Sequence, residues 1–302
     1  MLFKYSSSYL QAKAKGIPII AFESAIITHG LPSPENISLI EELTGIADNY
    51  NVYLALFWLD EGFVKIGFEH NELEKLAGVR DPIKVSCRDV PYVLTKGFTG
   101  GTTVAATIFL AHKEGLEVFA TGGLGGVHYK AEISFDISND LYMLAKTPII
   151  VISAGIKAVL DVGRTVELLE TLGIPLFGYQ TNTLPLFYSR DSDFNIRQLE
   201  TTKDIVSIYQ RQREAGLTSS LIISNPIPEQ WSIPKDEAEL TIKEALREVE
   251  AKGISGQEVT PYLLNKLSHT GLGTVKTNLE LVKNNVRLAS EIALELHKTN
   301  SC

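Results

Sequence analysis

Short apolar runs alternate with amphipathic stretches along this chain. The runs fall at Pro18–Phe22, Val52–Trp58, Phe63–Gly67, Val118–Ala120, Ile149–Ser153, Leu176–Tyr179 and Leu221–Ser224, and each has the length and character of a strand. The amphipathic stretches Pro34–Asn49, Thr103–Glu114, Val159–Leu172 and Asp236–Lys252 predict helices, with a last long helix over about Val275–Lys298. Such alternation predicts an α/β fold of three layers, α/β/α, around a largely parallel sheet. One segment breaks the pattern. LFWLDEGFVKIGF reads as a hairpin turning at Asp60-Glu61-Gly62, so the sheet is expected to be mixed. No internal repeat or low-complexity linker divides the chain. Ser189–Glu200 is its most polar, turn-rich piece, but the strand pattern resumes at Leu221, which predicts one domain over residues 1–302.

Composition changes this picture only by exclusion. With 44% hydrophobic residues and a formal charge of -8, the 302-residue chain reads as an ordinary globular protein. An acidic balance without a basic run argues against nucleic-acid polymers and anionic membranes as partners, though not against a small phosphorylated substrate. Cys87 and Cys302 make neither a disulfide framework nor a zinc-ligand spacing. The opening MLFKYSSSYLQAKAKG lacks the apolar core of a secretory signal, and no run has the length of a membrane span, so a cytosolic location is expected.

The chemistry begins with TPIIVISAGIKAVLDV, Thr147–Val162. Ile149 to Ile152 read as a buried parallel strand, Ser153-Ala154-Gly155 as a turn, and Lys157 then sits among Ile156, Ala158, Val159 and Leu160. An amine in that setting loses hydration, as a nucleophilic lysine requires; the alternative is a lysine that reaches solvent from the first turn of a helix. Glu23, in PIIAFESAIITHGLP, follows another strand into hydrocarbon, where a raised pKa would suit a general acid and an ion pair would suit a structural role. His29 beside it is either structural or a ligand contact. Gly100-Gly101-Thr102-Thr103 is expected to open a helix, offering free N–H groups to an anion or simply a helix cap. Lys84 and Arg88 lie just upstream. FATGGLGGVHYKAEISFDISNDL places two Gly-Gly pairs before His128, Asp136, Ser138 and Asp140, a set suited to a phosphate or a hydrated Mg²⁺ or Mn²⁺, or to a packed turn and helix cap. Asn278, Asn284 and Asn285 sit on the last helix, where asparagine is a poor former, and are expected to hydrogen-bond loops or ligand. Asn278 and Asn285 share a face.

Together, ESAIITHGLPSPEN, KVSCRDVPYV, GGTTVAAT, FATGGLGGVH, FDISNDL, AGIKAVLD, NPIPEQ, TPYLL and TNLELVKNN resemble the pseudouridine-5′-phosphate glycosidases, relatives of indigoidine synthase A. The resemblance runs from about Ile17 to Ala293. It implies reversible cleavage of the C-glycosidic bond of pseudouridine 5′-phosphate to uracil and ribose 5-phosphate, through a lysine imine on the ring-opened sugar. By motif, Lys157 matches the nucleophile, Glu23 the proton donor, and Asp136 the carboxylate of a Mn²⁺ site otherwise filled mostly by water. Lys84, Val104 and Ser138-Asn139-Asp140 match substrate-contacting positions, and Thr121, His128 and Asn278 other pocket positions. A homotrimer is implied as well. Rival readings are another lysine-dependent sugar-phosphate lyase, an indigoidine-branch hydrolase, and an inactive scaffold. The chain departs from the family pattern at Cys87, where an arginine is usual, and at Ala25, Ser33, Asn139 and Tyr129-Lys130.

Overall fold

Strands form where apolar positions run consecutively, and burial explains why. Every residue from Ile150 to Ser153 and from Leu221 to Ser224 is fully buried, so both faces of these strands are covered by other layers. The computed structural model describes residues 2–254, 259–268 and 273–300. Its strands are β1 (Phe3–Tyr5), β2 (Ile19–Phe22), β3 (Tyr53–Asp60), β4 (Phe63–Ile66), β5 (Ile83–Val85), β6 (Gly100–Thr102), β7 (Val118–Ala120), β8 (Ile150–Ser153), β9 (Leu176–Tyr179), β10 (Arg197–Leu199) and β11 (Leu221–Ser224). They make one sheet in the order β1-β4-β3-β2-β7-β8-β11-β9-β10, with β6 beside β3 and β5 beside β6. Flanking helices complete a mixed, mostly parallel α/β fold, as the pattern predicts.

The antiparallel pairs come from β3. Its end pairs with β4 through the expected hairpin, in which Glu61 and Gly62 both take positive φ. Its other edge is shared. Parallel β2 occupies it from Tyr53 to Leu56, and antiparallel β6 occupies it at Trp58 and Leu59. The lane that β2 follows is therefore taken by β6 beyond Phe22, and the chain must leave the sheet at Glu23. Ser24 seals the junction: its Oγ donates to the Phe57 carbonyl (2.6 Å) and accepts from the Thr102 amide (2.9 Å).

Three expectations need correction. Gly100-Gly101-Thr102 is strand rather than the start of a helix, and the Thr102 hydroxyl is buried against the Phe57 carbonyl. The helix after Lys157 begins at Val162, capped by Asp161, not at Val159. Ser189–Glu200 contains β10, paired in parallel with β9.

The helix Thr274–Asn300 packs across β2, β7 and β8 and works as a clasp. Asn285 is fully buried; its Nδ2 donates to the Thr121 carbonyl after β7 (2.7 Å), and its Oδ1 accepts from Asn225 after β11 (3.2 Å). Asn284 donates to the Pro226 carbonyl (3.1 Å). Asparagine's cost in a helix is thus offset by holding loops at the strands' carboxyl ends. Between β8 and Lys157, Gly155 has φ +88°, and a Cβ there would lie 2.0 Å from the Pro185 carbonyl oxygen. Gly155→Ala is expected to lower stability by roughly 2–5 kcal/mol, read as a fall in the urea midpoint. Among the described residues, no helix is long and apolar enough to cross a membrane.

Candidate active site

Strands β2, β7, β8 and β11 lie side by side and parallel, so the segments that leave their carboxyl ends meet along one rim. Open α/β sheets bind ligands along such a rim. Glu23 leaves β2, Thr121 leaves β7, and Lys157 follows β8. Ahead of them opens a cavity of about 760 Å³, lined by Glu23, Lys84, Val104, His128, Asp136, Ser138, Asn139, Asp140 and Lys157 among others. Residues spread over more than a hundred positions of sequence are thus gathered on one surface.

Lys157 precedes the helix rather than belonging to it. Its amide donates to the Leu124 carbonyl (3.0 Å), stitching the turn after β8 to the glycine loop after β7. Ile156, Val159 and Leu160 are buried around it, as the sequence predicts, while Lys157 itself is half-buried and faces the cavity. Glu23 is buried too. Burial raises its carboxyl pKa above the ordinary 4.5, and the Asp140 charge adds to this; the positive Lys157, the Thr121 hydroxyl bond and Lys84 pull the other way without winning. Thr121 does not reach the cavity: its hydroxyl donates to the Glu23 carboxylate from behind.

Lys84 carries the largest consequence of crowding two amines. Burial lowers its pKa first, and the Lys157 charge lowers it further, against the pull of Asp140 and Glu23. His128 is likewise lowered by burial, opposed by Asp136, whose Oδ2 lies 3.7 Å from His128 Nδ1. Asp136 keeps a partly exposed carboxylate on the cavity wall. Among the described residues no three His, Cys, Asp or Glu side chains converge as metal ligands. One carboxylate with a histidine nearby suits a hard divalent ion that keeps most of its water, and does not suit zinc.

Asp140 lines the cavity and also builds it. Oδ1 accepts from the Ala105 amide (2.9 Å) at the start of the helix Val104–Glu114, and Oδ2 accepts from Gly125 (3.0 Å) in the glycine loop. The helix terminus anticipated as an anion site is therefore partly occupied by the protein's own carboxylate, with Thr103 capping Ala106. Asp140→Asn turns an amide N–H toward one of those donors. We expect a loss of about 2–3 kcal/mol in chemical denaturation, since a buried donor is left unpaired.

Asn278 does not line the cavity; its Oδ1 is buried with no hydrogen-bond partner among the described residues. Ser138 caps the helix Asn139–Leu144, and Asn139 Oδ1 accepts from Ser86 Oγ (3.1 Å) across the mouth. Ala25 lines the cavity, whereas Ser33 does not. Cys87 turns away: its thiol donates to the Ala105 carbonyl (3.1 Å), and burial, with Asp140 and Asp89, pushes its pKa up to about 12. Arg88 stays at the rim as a cation. Leu160, Leu168 and Leu172 also line the cavity, although their helical spacing reads simply as core.

The sequence model of the family described as "Indigoidine synthase A like protein" matches residues 9–295. The chain belongs to that family. Among its relatives, the pseudouridine-5′-phosphate glycosidase of Petrotoga mobilis is 43% identical over 289 residues, 95% of this chain and 94% of the relative. The enzyme of the same name from Escherichia coli K12 is 42% identical over 284 residues, covering 93% and 91%. In three dimensions, the indigoidine synthase A-like protein of Thermotoga maritima superposes with TM-score 0.89 at 38% identity, covering 98% of this chain and 97% of that one. The prealnumycin C-glycosynthase AlnA, solved with ribulose 5-phosphate, superposes with TM-score 0.92 at 30% identity, covering 100% and 99%. Members of the indigoidine synthase A-like family thus share this chain's fold along nearly its whole length.

Proposed function

We propose that this chain is a pseudouridine-5′-phosphate glycosidase, cleaving its substrate to uracil and ribose 5-phosphate. The observation that carries the reading is Lys157 facing one cavity with a buried, protonatable Glu23. Relatives of that name at 42–43% identity over nearly the full length support it. A carbon–carbon glycosidic bond offers no basic leaving atom, and opening the sugar ring gives another route. Glu23 donates its proton to the ring oxygen as the bond from that oxygen to C1′ breaks, and the neutral amine of Lys157 bonds to C1′. The nitrogen, positive on bonding, gives up a proton, and uracil C5 takes one. The C1′–C5 electron pair returns to the uracil ring while the lysine lone pair forms C1′=N⁺. Water adds to the iminium, the amine leaves, and ribose 5-phosphate departs. The balance is substrate plus water to uracil plus sugar phosphate.

Lys84, at the cavity wall, would attract the phosphate, and its lowered pKa lets it give up a proton more readily than a surface lysine. Asp136 would hold Mn²⁺, or Mg²⁺, with water filling most of its positions. When bound, the ion supplies charge to neutralise and orient polar substrate atoms. Removing it with EDTA should lower turnover roughly 100-fold, the size of a few kcal/mol, and Mn²⁺ should restore it. A homotrimer in the cytoplasm completes the proposal, and light scattering tests the trimer.

The deciding experiment is release of uracil from pseudouridine 5′-phosphate, with N-linked uridine 5′-phosphate as control. Turnover of the first alone is expected; none, from folded Mn²⁺-loaded protein, ends the reading. The similarity to a C-glycosynthase favours one second reading, bond formation in the reverse direction on another acceptor. Condensing uracil with ribose 5-phosphate measures it.

A further inference from the structure

Glu23 and Lys84 reach the cavity from different parts of the chain, and neither lies within the long run of the sheet. Glu23 follows the last residue of β2. Lys84 is the middle residue of β5, a three-residue strand that pairs with β6 among the described residues. Between Glu23 and the next helix lies a single π-helical turn, Ile26–Gly30, a rare geometry found most often at functional sites.

That turn is keyed to the strand pair bearing Lys84. Thr28 sits on Gly101, the residue in register with Lys84, so closely that a Cβ at Gly101 would lie 2.2 Å from Thr28 Oγ1. His29 extends the contact on both sides. Its Nε2 lies 3.1 Å from the carbonyl oxygen of Pro82, two residues before Lys84, and its Nδ1 lies 2.7 Å from Thr28 Oγ1. A carbonyl only accepts, so Nε2 carries the proton, and in the neutral ring Nδ1 accepts from the Thr28 hydroxyl, whose proton the Ser24 carbonyl at 3.3 Å shares. Burial, then the Lys84 charge, lowers the His29 pKa and so favours the neutral ring, with the Pro82 bond opposing. The ring itself does not line the cavity.

We infer that His29 is a positioning residue: by joining the Glu23 turn to the Pro82 carbonyl, it fixes where the Lys84 amine stands relative to the Glu23 carboxyl. Its ring meets no substrate. It acts through Lys84, and its consequence is recognition of the phosphorylated sugar rather than the bond-breaking step; that part alone rests on the function proposed above.

Competitive acetylation by acetic anhydride, read by peptide mass spectrometry against exposed Lys15, reports how freely the Lys84 amine meets reagent, and needs no substrate. His29→Leu is expected to raise Lys84 labelling about fivefold or more, the size of one lost hydrogen bond. His29→Gln, whose amide N–H can still reach Pro82, should stay near the wild-type rate. Thr28→Val keeps the shape without the hydroxyl and should fall between. Unchanged labelling in His29→Leu overturns the inference, as does His29→Gln labelling as fast as His29→Leu. If His29→Leu does not fold, Thr28→Val at the wild-type rate overturns it. In turnover, His29→Leu should raise KM for pseudouridine 5′-phosphate about tenfold with kcat little changed, as for loss of uniform binding. That effect should vanish in a Lys84→Met background, and additive losses there overturn the inference. A wild-type chain that turns nothing over would instead end the proposed function and leave the labelling result standing.

Discussion

Lys157→Met lowers kcat for pseudouridine 5′-phosphate by about 10⁴-fold or more, the range seen when a covalent nucleophile is removed. Methionine keeps an unbranched stem beside Gly123, where the Lys157 stem lies, so the loss belongs to the amine and not to the fold. The urea midpoint should therefore move little. Borohydride trapping with ribose 5-phosphate supplies the direct check. Wild-type protein is expected to yield a reduced sugar adduct on the peptide containing Lys157, and the variant none. An adduct on Lys84 instead would exchange the roles of the two amines, which stand close enough for the charge of Lys157 to depress Lys84.

Glu23→Gln should cost about 10²–10⁴-fold in kcat, the usual worth of a general acid, while making the protein more stable at neutral pH. The two effects share one cause. Burial raises the folded-state pKa of Glu23 above 4.5, so between the unfolded and folded pKa values the folded chain binds more protons than the unfolded. Its contribution to stability is fully present below pH 4.5 and is lost as pH rises through the folded pKa. Glutamine has no such titration, so the variant's advantage in Tm grows with pH above 4.5, by roughly 2–4 °C for each kcal/mol in a chain somewhat smaller than this one. Activity carries the same sign: a proton donor is lost as pH rises through its pKa. A variant whose Tm tracked the wild type across that range would mean that Glu23 ionises as freely in the folded chain as in the unfolded one.

The sequence made the elements legible because burial on both faces leaves consecutive apolar runs, and Val118–Ala120, Leu176–Tyr179 and Leu221–Ser224 match the structure end for end. Pattern failed where a strand lacks side chains to read. Gly100-Gly101-Thr102 looks like a loop entering a helix, and its pairing on both sides, with β5 and with the end of β3, makes it strand. In the site, apolar neighbours foretold the burial of Glu23, whereas Lys157 is only half-buried on a wall it shares with charged side chains. What they could not foretell is which polar groups would be consumed by the backbone. Asp140 spends both oxygens on amides, one from the start of the helix Val104–Glu114 and one from the glycine loop, and Thr121 stands behind Glu23, arrangements that depend on tertiary packing alone. Asn285 is a poor helix former, and that local misfit is what its loop-holding role requires.

The position of Asn285 in the chain carries a consequence for how the protein is born. A ribosome makes Glu23, Thr121, Lys157 and Asn225 in that order, and the amide that joins the ends of β7 and β11 comes after all of them. At ordinary elongation rates of about 5–20 residues per second, roughly 10–60 s pass between the synthesis of Glu23 and that of Asn285. Through that interval the strands can pair and their backbone ties can form, yet the side-chain link between the ends of β7 and β11 is missing. A nascent chain halted before Asn285 thus carries Glu23, Thr121, Lys157 and Asn225 without the amide that joins the loops after β7 and β11.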